Sequence, residues 1–431
     1  MRSGGGGAVS GSSGTVAPGA GHDRPAGLGS RNENLTGRAA ERLMSTYPVP
    51  KAEFVRGKGT ALFDVDGNPH LDFLCGLGVT NLGHGHAAVT AAVAEQAATL
   101  VHTSNLFVTE PAVALAERLA RILGWDDARV FFAQDGATAN EAAIKVARRH
   151  GKAQHPDKVR MVALEGSFHG RTLATLEATG QPAKHEPFAP LAGYVDHVPY
   201  DDPDALRAAV TDQTCAVLLE VVQGEGGVRP VSDEVLVAAR EACDAHRALL
   251  IVDEVQTGIG RTGPWFAFQD TPVVPDVITV AKALANGLPI GACIAHGPAA
   301  TAFQPGDHGT TFGGNPVTCA AANAVIDAIE SDGILAAART RSRRLVEGLE
   351  ALVDDAPFAR GVRGRGLLLG LELDAPVAAE VESACRERFL IVNAVAPDVV
   401  RLAPPLTVTR QEIDLALAAL AESLSAVAEA H

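Results

Sequence analysis

The two residues best placed by type and setting to do covalent chemistry are Asp253 and Lys282. Each stands at the end of a short apolar run: Ala248-Leu249-Leu250-Ile251-Val252 stops at Asp253-Glu254, and Val277-Ile278-Thr279-Val280 stops at Ala281-Lys282. Unbroken apolar runs of this length, bounded by polar and glycine-rich segments, read as strands buried on both faces of a parallel sheet. Open sheets of that kind bind ligands just beyond the carboxyl ends of their strands. An amine and a carboxylate delivered there suit pyridoxal 5′-phosphate. The amine can form a Schiff base with the aldehyde, and the carboxylate can keep the ring nitrogen protonated so that the ring accepts electrons. The pair alone does not decide the matter, because strand-end aspartates commonly cap loops and lysines there are usually solvated. Lysine is scarce, however, occurring at positions 51, 58, 145, 152, 158, 184 and 282, and only Lys282 directly follows a buried-looking strand.

Composition narrows the classes. The chain has 431 residues, of which 47% are hydrophobic and 20% charged, with a formal net charge of −15. That length accommodates two domains or one large core with an appended lobe, and the acidic balance disfavours nucleic acid and anionic membrane as partners. The six cysteines form no CxxC pair and sit among apolar residues, as reduced core thiols of a cytoplasmic protein do. No apolar run is long enough to span a bilayer and no signal segment opens the chain. His84 and His86 flank Gly85 without further ligands at metal spacing, so no metal site is expected. Gly57-Lys58-Gly59-Thr60 lacks the upstream glycine of a P-loop.

The elements that must position Asp253 and Lys282 follow from pattern. Residues 1–40, rich in Gly, Ser and Ala, read as a disordered tail, with structure beginning near Ala40. Strands are expected at 61–65 and 71–79 around the Asp66-Gly67 turn, and helices at 86–100 and 111–123. Arg129 to Ala133 is a strand leading through Gln134-Asp135-Gly136-Ala137 into a helix to His150, and free amides at such a helix start can cradle a phosphate. Thr138 and Glu141 read as a capping box there. Strands at 159–164 and 215–219, with helix 232–246, complete the alternation of a doubly wound, mostly parallel α/β sheet. In the loop after the first of these strands, Phe168 could stack on a planar ring and Arg171 could fork onto a carboxylate. The last hundred or so residues read as α+β, with helices at 332–354, 376–388 and 410–428 and strands at 366–373 and 399–402. The expected division is therefore 1–40 tail, 41–85 and 330–431 a smaller α+β domain built from both chain ends, and 86–329 the large cofactor-binding domain.

Several long strings carry a resemblance: Phe168-His169-Gly170-Arg171-Thr172, Gly180-Gln181-Pro182-Ala183-Lys184, Val222 to Val228, Val252 to Gly258, Thr311 to Pro316, and Arg401-Leu402-Ala403-Pro404-Pro405-Leu406. With the interval from Asp253 to Lys282, they make the chain similar to the class III, fold-type I pyridoxal-phosphate aminotransferases, nearest to the acetylornithine aminotransferase branch, from about residue 43 to 428. The resemblance implies Lys282 as the cofactor-bound lysine and Asp253 as the partner of the ring nitrogen. It places Glu254, Val255 and Gln256 in the cofactor string, with Val255 on one ring face, Phe168 on the other and Gln256 at the phenolic oxygen. The amides of Gly136 and Ala137 would hold the phosphate. Thr311 would reach it from the neighbouring subunit of a homodimer with shared sites, with Thr310 beside the substrate.

The resemblance also assigns Arg171 to the distal carboxylate and Arg401 to a carboxylate next to the reacting carbon, with Glu225 as the internal partner of Arg401. An arginine cannot shed its charge, so a buried Arg401 needs an anion at every stage. N2-acetylornithine brings none to its reacting carbon, whereas 2-oxoglutarate and glutamate do. The implied activity is ping-pong transfer of the terminal amine of N2-acetylornithine to 2-oxoglutarate, a step of arginine biosynthesis, with Lys282 as general base and acid. Ornithine, succinylornithine and 4-aminobutyrate aminotransferases are alternatives, as is a non-catalytic cofactor-binding regulator. Two positions depart from the family pattern: Asp135 replaces a serine that donates to the phosphate, and Thr138 replaces a glutamate. A carboxylate facing a phosphate dianion is unfavourable, so Asp135 is expected to turn away and cap the helix.

Overall fold

Strand Leu249–Asp253 is buried at every residue, and its neighbours explain why its sequence carries no polar alternation. It pairs in parallel with Thr214–Leu219 on one side and Val277–Val280 on the other. In the computed structural model, which describes residues 29–47 and 52–431, it is the centre of a seven-stranded sheet. In sheet order the strands are Arg129–Ala133, Gly291–Ala295, Val277–Val280, Leu249–Asp253, Thr214–Leu219, Arg160–Leu164 and Val195–Val198. All pairings are parallel except those of Gly291–Ala295, which runs antiparallel to both neighbours. The doubly wound, mostly parallel α/β architecture is therefore present. The sequence reading names no strand at 291–295 because Gly291, Ala292 and Ala295 have low strand propensity; burial between two neighbours overrides it.

Helices Gly136–Gln154 and Asp233–His246 cover opposite faces, each turning an alanine-rich stripe to the sheet. The register places Asp253 beside Thr279, and Glu254 N donates to Thr279 O at 2.8 Å. The two chemistry-bearing strands thus end at one edge.

Two smaller sheets flank this one. Phe54–Lys58, Ala61–Asp64 and Pro69–Asp72 form an antiparallel meander whose last strand pairs with Leu390–Ile391, so both ends of the chain contribute to it. Ala359–Arg365, Leu368–Leu373, Val399–Leu402 and Asn393–Ala396 form the other. Residues 54–431 make one unit, and the residues described before Phe54 belong to another. Among the described residues no helix is long and apolar enough to cross a membrane.

Three expectations need correction. The tail assigned to residues 1–40 contains helix Gly29–Arg42, in a stretch where arginine, glutamate, leucine and alanine displace the glycine and serine of residues 1–28; those earlier residues lie outside the description. The strand expected at 71–79 is Pro69–Asp72, because Asp72 Oδ1 accepts from Leu74 N at 3.0 Å and Cys75 N at 2.7 Å and bends the chain into a helical turn. The capping box at the 136–154 helix is built by Asp135 and Thr138: Asp135 Oδ1 accepts from Thr138 N at 2.7 Å, and Thr138 Oγ1 accepts from Asp135 N at 3.1 Å. Glu141, expected in that box, instead accepts from Thr172 Oγ1 at 2.5 Å.

Candidate active site

Asp253 ends its strand 3% exposed and is held by three donors. Asn140 Nδ2 and His169 Nδ1 lie 2.7 and 2.8 Å from Oδ2, and Val255 N donates to Oδ1 at 3.0 Å. Asn140 is fixed in turn, donating to His169 O at 2.8 Å and accepting from Thr279 Oγ1 at 2.6 Å. The helix after the phosphate-type turn, the 168–171 loop and the Lys282 strand therefore all converge on one carboxylate. Residues that hold an acid this way fix its direction.

Lys282 follows the neighbouring strand with φ of 42°, a left-handed conformation that a non-glycine residue adopts at a cost of about 1–3 kcal/mol. Burial pulls its ammonium below the usual lysine range, while the charges of Glu225, Asp253 and Glu220 oppose that and Arg401 adds to it. A lysine lowered in this way spends more of its time as the free amine, which is the nucleophile and the base. Glu220, 5% exposed at the end of its strand, accepts from Phe168 N at 3.1 Å. Burial, with the Asp253 charge beside it, pushes its carboxyl well above the ordinary range.

The neighbouring surfaces fit a flat, phosphate-bearing ring. Gly136 and Ala137 open the 136–154 helix, and a Cβ at Gly136 would stand 2.7 Å from Val255 Cγ1, so only glycine lets the helix start close onto that side chain. Phe168 is half-buried in the loop on the Glu220 side. Asp135 is exposed and its carboxylate is engaged with the Thr138 amide, as expected of a residue turned to the cap. Asp253, Lys282, Gly136, Ala137, Val255 and Phe168 thus belong to one cluster that suits pyridoxal phosphate. Glu254 does not share in it: its carboxylate accepts from Phe268 N at 2.9 Å and pairs closely with Thr257 Oγ1, because the strand's alternation points it to the opposite side from Asp253.

Arg401, 1% exposed, comes from strand Val399–Leu402. Its Nη1 lies 2.6 Å from Glu225 Oε1 and 3.2 Å from Gln256 Oε1, and Nη2 donates to Asn393 Oδ1 at 2.8 Å. Gln256 Nε2 reaches back to Glu225 at 3.4 Å. A Cβ at Gly224 would meet Gln256 Oε1 at 1.7 Å, so glycine is required for this approach. Burial pushes Glu225 up, but the charges of Arg401 and Lys282 and the hydrogen bonds from Arg401 and Gln256 outweigh it and leave the carboxyl below its usual range.

Arg171 is exposed, its guanidinium 5.6 Å from the Phe168 ring centroid, and it has no acid partner among the described residues. Thr310 is tied to this chain: Gln134 Nε2 donates closely to its Oγ1 and Asn105 Nδ2 donates to its carbonyl at 3.1 Å. Thr311 beside it is exposed. Sequence reasoning gave no role to Asn140, His169 or Asn393, whose partners are distant in the chain. His169 lay inside a quoted string, which was the one available signal. Among the described residues no group of His, Cys, Asp and Glu could hold a metal ion.

Comparison with known proteins places this geometry. Residues 45–424 match the family described as aminotransferase class-III. The chain is 50% identical over 399 residues to the acetylornithine aminotransferase of Streptomyces coelicolor, covering 92% of this chain and 97% of that one. Its structure is similar to ornithine aminotransferase from Toxoplasma gondii, with a TM-score of 0.88 at 30% identity over 93% of this chain and 96% of that one. It is similar as well to N-acetylornithine aminotransferase from Stenotrophomonas maltophilia, with a TM-score of 0.80 at 34% identity over 92% of this chain and all, 100%, of that one.

Proposed function

The chain belongs to the class III aminotransferases, and from that premise we propose that it moves the terminal amine of N2-acetyl-L-ornithine to 2-oxoglutarate, giving N-acetyl-L-glutamate 5-semialdehyde and L-glutamate in arginine biosynthesis. The cofactor is pyridoxal 5′-phosphate. When bound, it supplies an electron sink for the pair left as the C–H bond at the reacting carbon breaks, and it carries the amino group between the two substrates.

This chain's residues would hold it as follows. The amides of Gly136 and Ala137 take the phosphate, Val255 and Phe168 pack on the two ring faces, and Asp253 faces the ring nitrogen. Lys282 Nζ, more of which is free amine because burial lowers its ammonium pKa, takes the proton from the carbon bearing the departing amine. In the second half-reaction it returns one to C2 of the 2-oxoglutarate skeleton. Arg171 grips the carboxylate far from the reacting carbon in both substrates.

The observation that carries the assignment of an ω-amine donor is the Glu225–Arg401 contact of 2.6 Å, and the choice of the acetylated one is supported by the 50% identity to an acetylornithine aminotransferase. An ω-amine donor leaves that internal pair closed, and 2-oxoglutarate replaces Glu225 with its own C1 carboxylate. Exchange of one anion for another leaves the buried guanidinium neutralised throughout.

Sites of this kind are shared in a homodimer. Supporting this, Leu100, Val101, Leu106, Phe107, Val108 and Phe312 are all exposed apolar residues, gathered in two segments that flank Asn315, whose Nδ2 donates to Val101 O at 2.7 Å. Thr311, exposed in the second segment, would serve the phosphate of the neighbouring subunit. Residues 86–329 act as the cofactor-binding domain, with 41–85 and 330–431 as the smaller one. The described cysteines are all buried and free, in keeping with a cytoplasmic setting.

The test is a steady-state comparison of N-acetylornithine, ornithine, N-succinylornithine and 4-aminobutyrate as donors to 2-oxoglutarate. The highest kcat/KM is expected for N-acetylornithine; a higher value for any other donor replaces the assignment.

A further inference from the structure

Two cations lie beside the ring of Phe168. Arg171 places its guanidinium carbon 5.6 Å from the ring centroid, and Lys184 places its Nζ 6.0 Å from the same point. Lys184 sits in the short helix Pro182–His185, and its ammonium donates closely to Gln181 Oε1. Gln181 Nε2 donates at 3.3 Å to Gly166 O and Ser167 O, so the ammonium is tethered to the loop that carries Phe168. Among the described residues no carboxylate pairs with Lys184, and a half-buried, tethered cation without a counter-ion is available to a ligand. Burial and the Arg171 charge pull its pKa down, and Glu225 opposes them. Lys184 therefore feels the charges at both ends of the substrate path.

We infer that Lys184 selects an acylated donor: its ammonium donates to the acyl oxygen on the donor's α-nitrogen and repels a free α-ammonium. The inference rests on the donor reading proposed above. With the donor carboxylate on Arg171, the α-nitrogen is attached to the carbon next to that carboxylate. Its substituent must then lie beside Arg171, where Lys184 is the second cation. An amide there offers a neutral oxygen acceptor. Unacylated ornithine offers a positive charge to two others. Arg171 adds to that repulsion but is engaged by the same carboxylate in both donors, so the acyl oxygen is left to Lys184.

The experiment measures kcat/KM for N-acetylornithine and for ornithine, with 2-oxoglutarate as acceptor, in the wild-type holoenzyme, Lys184→Met and Lys184→Gln. Any loss of grip on the shared carboxylate cancels in the ratio of the two. Lys184→Met is expected to lower the acetylornithine-to-ornithine ratio about tenfold or more, as loss of a charge-assisted hydrogen bond and of a repulsion does. Lys184→Gln, which keeps a donor but no charge, is expected to fall between the two, and it carries the test if the Met variant does not fold. Calorimetric binding of N-acetyl-L-norvaline and L-norvaline to the holoenzyme, neither of which carries the reacting amine, should shift in the same direction. An unchanged ratio in the variants overturns the role of Lys184 and leaves the donor assignment standing. A wild-type enzyme that does not favour the acetylated donor overturns the assignment and the inference with it.

Discussion

Glu225 and Arg401 meet at 2.6 Å with unequal access to solvent: the Arg401 side chain is 1% exposed and that of Glu225 29%. The base cannot leave and the acid can. Gln256 touches both, so departure of Glu225 leaves Arg401 with a neutral contact but without a counter-charge. This asymmetry is what an exchange of carboxylates needs.

Glu225→Ala is therefore expected to separate the half-reactions. Removing one member of a buried pair costs about 3–5 kcal/mol, and the partial exposure of Glu225 puts the stability loss near the lower end. Glutamate and 2-oxoglutarate should bind more tightly to the vacated guanidinium, and acetylornithine should react more slowly. Single-turnover rates for each substrate check this; equal losses in both directions would remove the switch.

Lys282→Ala should abolish turnover while the cofactor still binds through its phosphate and ring contacts. The loss should be at least the ~10²–10⁴-fold typical of a removed general acid–base group. Absorbance of the purified variant with added cofactor reports binding, and a fully active variant would end the account of the site.

Asp135→Ser should tighten cofactor binding. The carboxylate caps the helix beside the two amides assigned to the phosphate, and serine caps as well without the charge. Asp135 is exposed, so solvent screening leaves a repulsion of about 1 kcal/mol, equivalent to roughly a fivefold change in Kd. Fluorescence titration of the apoprotein at low and high salt measures it, and the gain should shrink as salt is added.

Glu254 predicts a stability profile. Burial pushes its carboxyl up from the ordinary 4.5 to about 7, with the bonds from Thr257, Phe268 and Ala267 opposing the rise. The folded protein then holds a proton that the unfolded chain has lost, so this group's contribution falls as pH rises from 4.5 to about 7. Glu254→Gln should flatten that decline and melt higher than wild type above the window, by up to about 3 kcal/mol. Thermal unfolding of both proteins across the range decides it.

Much of the site could be read from the chain because its chemistry is carried by local strings. Lys282 and Asp253 close apolar strands, and the 168–171 and 222–228 loops are continuous segments whose residue types declare stacking, anion binding and tight turns. The Gly291–Ala295 strand could not be read, because its small residues have weak local preference and acquire a strand conformation only when two neighbours bury them. The capping box moved from Thr138–Glu141 to Asp135–Thr138 for a related reason. Glu141 had a better partner in Thr172, which is adjacent only after folding.

The residue order by itself determined which side chains end which strands, and hence that an amine and an acid reach one edge of a parallel sheet. It pointed to the cofactor class through that pairing taken together with the strings around it. The tertiary structure alone decided what those groups feel. Asn140 and His169 orient Asp253, burial raises the Glu220 carboxyl against the Phe168 loop, and Lys184 joins Arg171 beside one ring. Those contacts join segments far apart in sequence, and burial and Coulomb interactions depend on distance in space, to which a linear pattern carries no information.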